Sequence, residues 1–170
     1  MLKFNMSKYK RFFIKNHSYY LTVVTHGRNP ILIKNIELLR ESFADSKRRY
    51  IYKIDAIVVL PDHIHMIITP KISTDYPKII RAIKYHFSKH CSVEDYDFME
   101  QSYSRNRRGY KPIWQKRFYE HTIRDEHDWN KCLNYIYGNP VKHGYVKNIK
   151  DWKYSSFRRV HFNAPINPKK

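Results

Sequence analysis

His63 and His65 stand two residues apart inside Val58-Val59-Leu60-Pro61-Asp62-His63-Ile64-His65-Met66-Ile67-Ile68, a stretch otherwise built of strand-forming apolar residues. Successive strand side chains point to opposite faces, so both imidazoles project from one face while Ile64 and Met66 project from the other. Two imidazoles on one rigid face can share a divalent cation. Farther along, Asn134-Tyr135-Ile136-Tyr137-Gly138-Asn139 sets Tyr135 and Asn139 four residues apart, on one face of a helix. If that face meets the histidines, Asn139 adds a carbonyl oxygen to two imidazole nitrogens, a mixed set that suits Mg²⁺ or Mn²⁺. Tyr135 then lies one turn from the cation. A phenol with the ordinary pKa of about 10 is a poor nucleophile at neutral pH, so it needs a neighbouring cation or base. The same cation can polarise a phosphate and hold it in line for attack.

These residues also have plainer uses. A same-face histidine pair can be the polar side of an amphipathic strand, Tyr137 competes with Tyr135 from another helix face, and an asparagine before proline is a common helix-end residue. Glu120 and His121 flank the same region and stay outside the catalytic set.

The elements that must position these groups follow from periodicity. His17 to Thr25 is β-branched and aromatic and reads as a strand. Leu32 to about Tyr50 carries Ile33, Ile36, Leu38, Leu39 and Phe43 at helical spacing. Tyr52 to Leu60 and His63 to Thr69 form a hairpin across Pro61-Asp62. Tyr76 to about His90 is a second helix, with Ile79, Ile80, Ile83 and Phe87 inward and Lys78, Arg81, Lys84 and Lys89 outward. Ser92 to Lys111 is polar and reads as an exposed loop, and Phe118 to Arg124 as a fourth strand. Asp125 caps a helix from about Glu126 to Asn139, stopped by Pro140. The order β-α-β-β-α-β plus a further helix predicts an α+β fold, a ferredoxin-like split βαβ sandwich. Its antiparallel sheet carries two helices on one face, and the tyrosine helix is left to cross the other.

The chain has 170 residues, fit for a single domain (1–170) with a real core, and residues 158–170 read as a flexible basic tail. Lys and Arg number 33 against 15 Asp and Glu, a formal charge of +18, and 16% of residues are aromatic. Cations interleaved with aromatic rings suit a polyanion with unpaired bases, so nucleic acid, single-stranded forms included, is the leading partner. Arg81, Lys84, Arg105, Arg107 and Arg108 are the candidate phosphate contacts. With no apolar run of membrane-spanning length and no signal peptide, the expected place is the cytoplasm, at the nucleoid. Cys91 and Cys132 are isolated and read as reduced and structural.

Pro61-Asp62-His63-Ile64-His65 resembles the histidine-hydrophobic-histidine (HUH) motif of single-tyrosine transposases. Tyr135-Ile136-Tyr137-Gly138-Asn139-Pro140-Val141-Lys142-His143-Gly144 resembles the second signature of the REP-associated tyrosine transposases. Ile113 to His121 (IWQKRFYEH) and Asp151 to Phe157 (DWKYSSF) are similar to further blocks of that family, in the same order, so the similarity runs from about Tyr9 to Phe157. It implies a metal-dependent enzyme that cuts and rejoins single-stranded or hairpin DNA of repetitive palindromic elements through a 5′-phosphotyrosine link. By motif position, Tyr135 is the nucleophile, His63 and His65 are metal ligands, and Asn139 takes the third ligand position. The alternatives are a regulatory hairpin-binding protein without chemistry and a nuclease that uses activated water. Monomer and homodimer both remain open.

Overall fold

The computed structural model describes residues 11–157; the expected tail at 158–170 lies outside them. Four strands, β1 (Tyr19–Val24), β2 (Tyr52–Val59), β3 (His63–Pro70) and β4 (Tyr119–Thr122), form one antiparallel sheet in the order β2-β3-β1-β4. That order is the one of the ferredoxin-like arrangement.

Strand alternation splits the core in two. Tyr19, Leu21 and Val23 of β1 and Ile64, Met66 and Ile68 of β3 face helices α1 (Ile36–Arg49) and α2 (Tyr76–His90). The inward positions of α2, Ile79, Ile80, Ile83 and Phe87, are buried as their spacing predicts, each contributing about 1.5–3 kcal/mol of burial. Tyr20, Ala56, Val58 and Ile67 face the other way and pack on Cys132, Ile136 and Tyr137 of α4 (Glu126–Lys142). One residue slip in β3 would move both histidines to the helical layer. The register is fixed by Thr22 opposite His65 and Val24 opposite His63. A bulge between Ile54 and Ala56 keeps β2 in phase with β3.

Some expectations shift. Helix α1 starts at Ile36 rather than near Leu32, because Ile31 and Leu32 are buried as an approach segment and the Leu32 N–H donates to the Pro61 carbonyl at 2.9 Å. The 92–111 stretch is not a plain loop. It holds a turn at Val93–Asp95, a short helix α3 (Tyr103–Arg107) and a buried Tyr96 and Asp95. Pro140 does not stop α4, which runs on to Lys142. Proline forfeits only its own N–H bond in the last turn, and that turn is closed by the His143 N–H donating to the Asn139 carbonyl at 3.0 Å. After α4, the chain returns along the free edge of β2. There the Val59 N–H donates to the Tyr154 carbonyl and the Ser156 N–H to the Ile57 carbonyl, both at 2.9 Å. Among the described residues, no helix is long and apolar enough to cross a membrane.

Candidate active site

The His63 and His65 rings leave the sheet side by side, with centroids 4.8 Å apart and planes at 84°. Both residues are 4% exposed. Each is oriented through Nδ1. The His63 Nδ1–H donates to Asp62 Oδ1 at 2.6 Å, and Arg28 Nη1 donates to Asp62 Oδ2 at 3.2 Å. His65 Nδ1 lies 2.9 Å from both the Tyr20 hydroxyl and the Thr22 hydroxyl. In the tautomer with Nδ1–H donating to those oxygens, Nε2 of each ring keeps its lone pair, as a metal-binding histidine requires. Burial keeps both rings neutral. It lowers the His63 pKa against the opposing pull of Asp62, and it pushes His65 down to about 3, helped by the cost of placing a second positive charge beside His63 or His143 whenever either is protonated.

Helix α4 meets this pair along one stripe. Asp125 caps it, accepting the Asp128 N–H at 2.8 Å, a contact that contributes about 1 kcal/mol. Asp128 in turn accepts from His121 Nε2 at 2.8 Å and from the Arg124 backbone N–H at 3.1 Å, tying α4 to β4. Two turns on, the Tyr135 ring sits 5.2 Å from the His65 ring. At the end of the helix, the His143 ring sits 5.4 Å from the His63 ring. Asn139 is one turn from each on the same stripe, 1% exposed, and neither its Oδ1 nor its Nδ2 has a hydrogen-bond partner. Leaving a buried amide unpaired costs about 1–3 kcal/mol. An amide kept in that state, midway along the helix stripe whose Tyr135 and His143 meet the two imidazoles, fits a cation ligand better than it fits a cap.

The two tyrosines separate cleanly. Tyr137 is 5% exposed, its hydroxyl 3.3 Å from the Ser156 hydroxyl and its ring against Phe157, so it is core. Tyr135 is 44% exposed at the mouth of the histidine site, with the Lys142 ammonium 5.1 Å from its ring centroid.

His121, Asp128 and Cys132 also bring ligand-type atoms within 4.8 Å of one another. Both Asp128 oxygens are already taken by His121 and one also by Arg124, so this group acts as a strand-to-helix clamp. Glu120 points to the other face, where it accepts from the Tyr76 hydroxyl at 2.6 Å and from Arg11 at 3.1 Å.

The expected phosphate contacts lie elsewhere. Arg81 is exposed on α2, in the helical layer across the sheet from the histidines. Lys84 is half-buried on that helix and donates to the Gln115 carbonyl at 2.5 Å; burial and then Arg105 push its pKa down to about 8. Arg105 turns inward to the Trp114 carbonyl at 3.3 Å, whereas Arg107 and Arg108 are exposed around the end of α3. Among the described residues, the cations at the site itself are Arg28 and Lys142, which charge counting does not single out. Arg28 holds φ of +60° immediately after Gly27 at +57°. A left-handed arginine is strained, and here the strained turn delivers its guanidinium to Asp62 beside His63. Asp62 and His143 carry signals in the sequence after all: one adjoins His63, and the other is four residues beyond Asn139.

A family model described as "Transposase IS200 like" matches residues 13–139. The chain belongs to the IS200-like transposases. It is 38% identical to a REP-associated tyrosine transposase of Escherichia coli, over 91% of this chain and 84% of that protein. A Haemophilus influenzae protein assigned to the same group is 39% identical, over 91% of this chain and 87% of its own. A solved REP-associated tyrosine transposase bound to a REP hairpin superimposes with a TM-score of 0.77 at 36% identity, covering 97% of this chain and 92% of that one. As a transposase, this chain is an enzyme that acts on DNA, and its histidine pair and tyrosine helix fall within or at the edge of the matched region.

The buried neutral imidazole has a consequence for stability that can be measured on metal-free protein. The His65 pKa is lower in the folded chain, about 3, than the roughly 6.5 of an unfolded histidine. Its contribution is therefore complete above pH 6.5 and is lost as pH falls from there toward the folded value. Urea unfolding at about pH 8 and about pH 5 should show wild type losing about 2 kcal/mol more than His65→Gln over that interval. Parallel losses in the two proteins would contradict the assignment.

Proposed function

We propose that this transposase cuts and rejoins single-stranded DNA beside hairpins of repetitive palindromic elements, with Tyr135 forming a 5′-phosphotyrosine link. The observation that carries this reading is one helix stripe that sets an exposed tyrosine against two neutral imidazoles and holds an unpaired buried amide one turn away. A relative of 36% identity bound to a REP hairpin supports the choice of substrate. For an enzyme acting on DNA, the expected site of action is the cytoplasm, at the nucleoid.

A divalent cation, Mg²⁺ or Mn²⁺, held by His63 Nε2, His65 Nε2 and Asn139 Oδ1 would supply the charge that polarises the scissile phosphate. The chain does the rest. Asp62, Tyr20 and Thr22 fix the imidazole tautomers. The Tyr135 oxygen attacks phosphorus as its proton departs, the P–O3′ bond breaks, and the leaving oxygen takes up a proton to become a 3′-hydroxyl. Lys142 places positive charge beside the group that becomes anionic as it attacks. The energy of the broken ester is kept in the tyrosyl ester, so an incoming 3′-hydroxyl can reverse the step without a nucleotide cofactor.

The reading is tested by incubating the protein and Mg²⁺ or Mn²⁺ with end-labelled hairpin oligonucleotides carrying unpaired flanks, then separating products under denaturing conditions. The expected product is a protein–DNA adduct that survives denaturation. Cleavage without an adduct would replace this reading with a water-using nuclease, and tight binding without cleavage with a regulatory binder.

A further inference from the structure

The aromatic rings at the site continue beyond His63. From His143 a ladder runs over the surface: Tyr145 lies at 6.0 Å and 25° to His143, stacks on Trp152 at 5.3 Å and 28°, and Trp152 meets Tyr154 edge-on at 5.5 Å. Packing accounts for the far end of it. The Trp152 indole N–H donates to the Val59 carbonyl at 2.9 Å, and Tyr154 binds the β2 edge through its carbonyl. Packing does not account for Tyr145, which stays 44% exposed, nor for the exposed His143 that links it to the histidine pair.

The charge beside these rings is mainly positive. Residues 142–154 hold four lysines and a single aspartate, and Lys142, Lys147, Lys150 and Lys153 are all exposed. Flat rings bordered by cations are what an unpaired strand uses, its bases stacking while its phosphates meet ammonium groups. A paired base offers no free face to such a ring, so the feature selects single strands over duplex.

We propose that the unpaired strand next to the cleaved phosphate leaves the His63/His65 site across this ladder, with one base stacked on Tyr145 and its phosphates against Lys142 and Lys147. The proposal rests on the strand-cleavage reading above and names the path of the substrate. Because every base has a stacking face, the contact is tolerant of sequence and sets strand state rather than base identity.

The test is the anisotropy of a labelled short oligothymidylate and of an abasic strand of the same length, titrated with wild type, Tyr145→Phe and Tyr145→Leu. Wild type and Tyr145→Phe should prefer the base-bearing strand by about tenfold, as one base–aromatic stack provides. Tyr145→Leu should lose that preference while binding the abasic strand as before, with an unchanged melting temperature. A preference retained in Tyr145→Leu overturns the proposal. So does its absence in wild type, or an equal loss on both strands. Adduct formation on hairpin DNA is read separately, so a failure of the strand-cleavage reading is told apart from a failure of this one.

Discussion

Asn139→Leu is expected to make the metal-free protein more stable and the enzyme inactive. The substitution removes two buried polar atoms that lack partners and replaces them with a side chain of similar size. Relief of about 1–3 kcal/mol should follow, and each kcal/mol raises the melting temperature of a chain this size by about 2–4 °C. The same change deletes a proposed ligand. Residues that merely orient metal ligands cost about 10–100-fold when lost, and a direct donor should cost at least that in metal-dependent cleavage. Added Mg²⁺ or Mn²⁺ should raise the melting temperature of wild type and not of the variant. A variant that melts lower, or that cleaves like wild type, would mean that Asn139 is a structural residue at the helix end.

Tyr135→Phe should separate binding from chemistry. The Tyr135 hydroxyl makes no hydrogen bond among the described residues and the side chain is 44% exposed. Its removal should therefore change stability by less than about 0.5 kcal/mol. Hairpin DNA should bind as to wild type, while adduct yield falls by at least about 10³-fold, as expected when a covalent nucleophile is lost. Tyr137→Phe should keep the adduct and lose stability instead, because that hydroxyl is buried against Ser156.

Much of this architecture is legible in the sequence where the signal is local. The apolar spacing of α2 predicts Tyr76 to His90, which are its bounds. Period-two alternation puts His63 and His65 on one face, and Asp125 marks the start of α4. What escapes a sequence reading depends on distant partners. Lys84 and Arg105 look like free cations, but each is spent on a backbone carbonyl more than a few residues away. Arg28 reaches the site through a left-handed turn that no composition count reveals. Pro140 reads as a stop because proline usually breaks a helix, yet the packing of α4 on β2 and β3 carries the last turn past it. Tyr135 and Tyr137 are indistinguishable by type. Spacing to Asn139 and motif position favour Tyr135, and burial of Tyr137 against Ser156 and Phe157, with exposure of Tyr135 beside His65, points the same way.

The central claim is that Tyr135 becomes joined to the 5′-phosphate of the cut strand. Its most direct test is to trap the adduct formed on hairpin DNA in the presence of Mg²⁺ or Mn²⁺, digest protein and DNA, and sequence the nucleotide-bearing peptide by mass spectrometry. The account predicts a phosphodeoxynucleoside on Tyr135 alone. A nucleotide found on Tyr137, Tyr20 or Tyr119, or complete cleavage with no modified peptide, would contradict it.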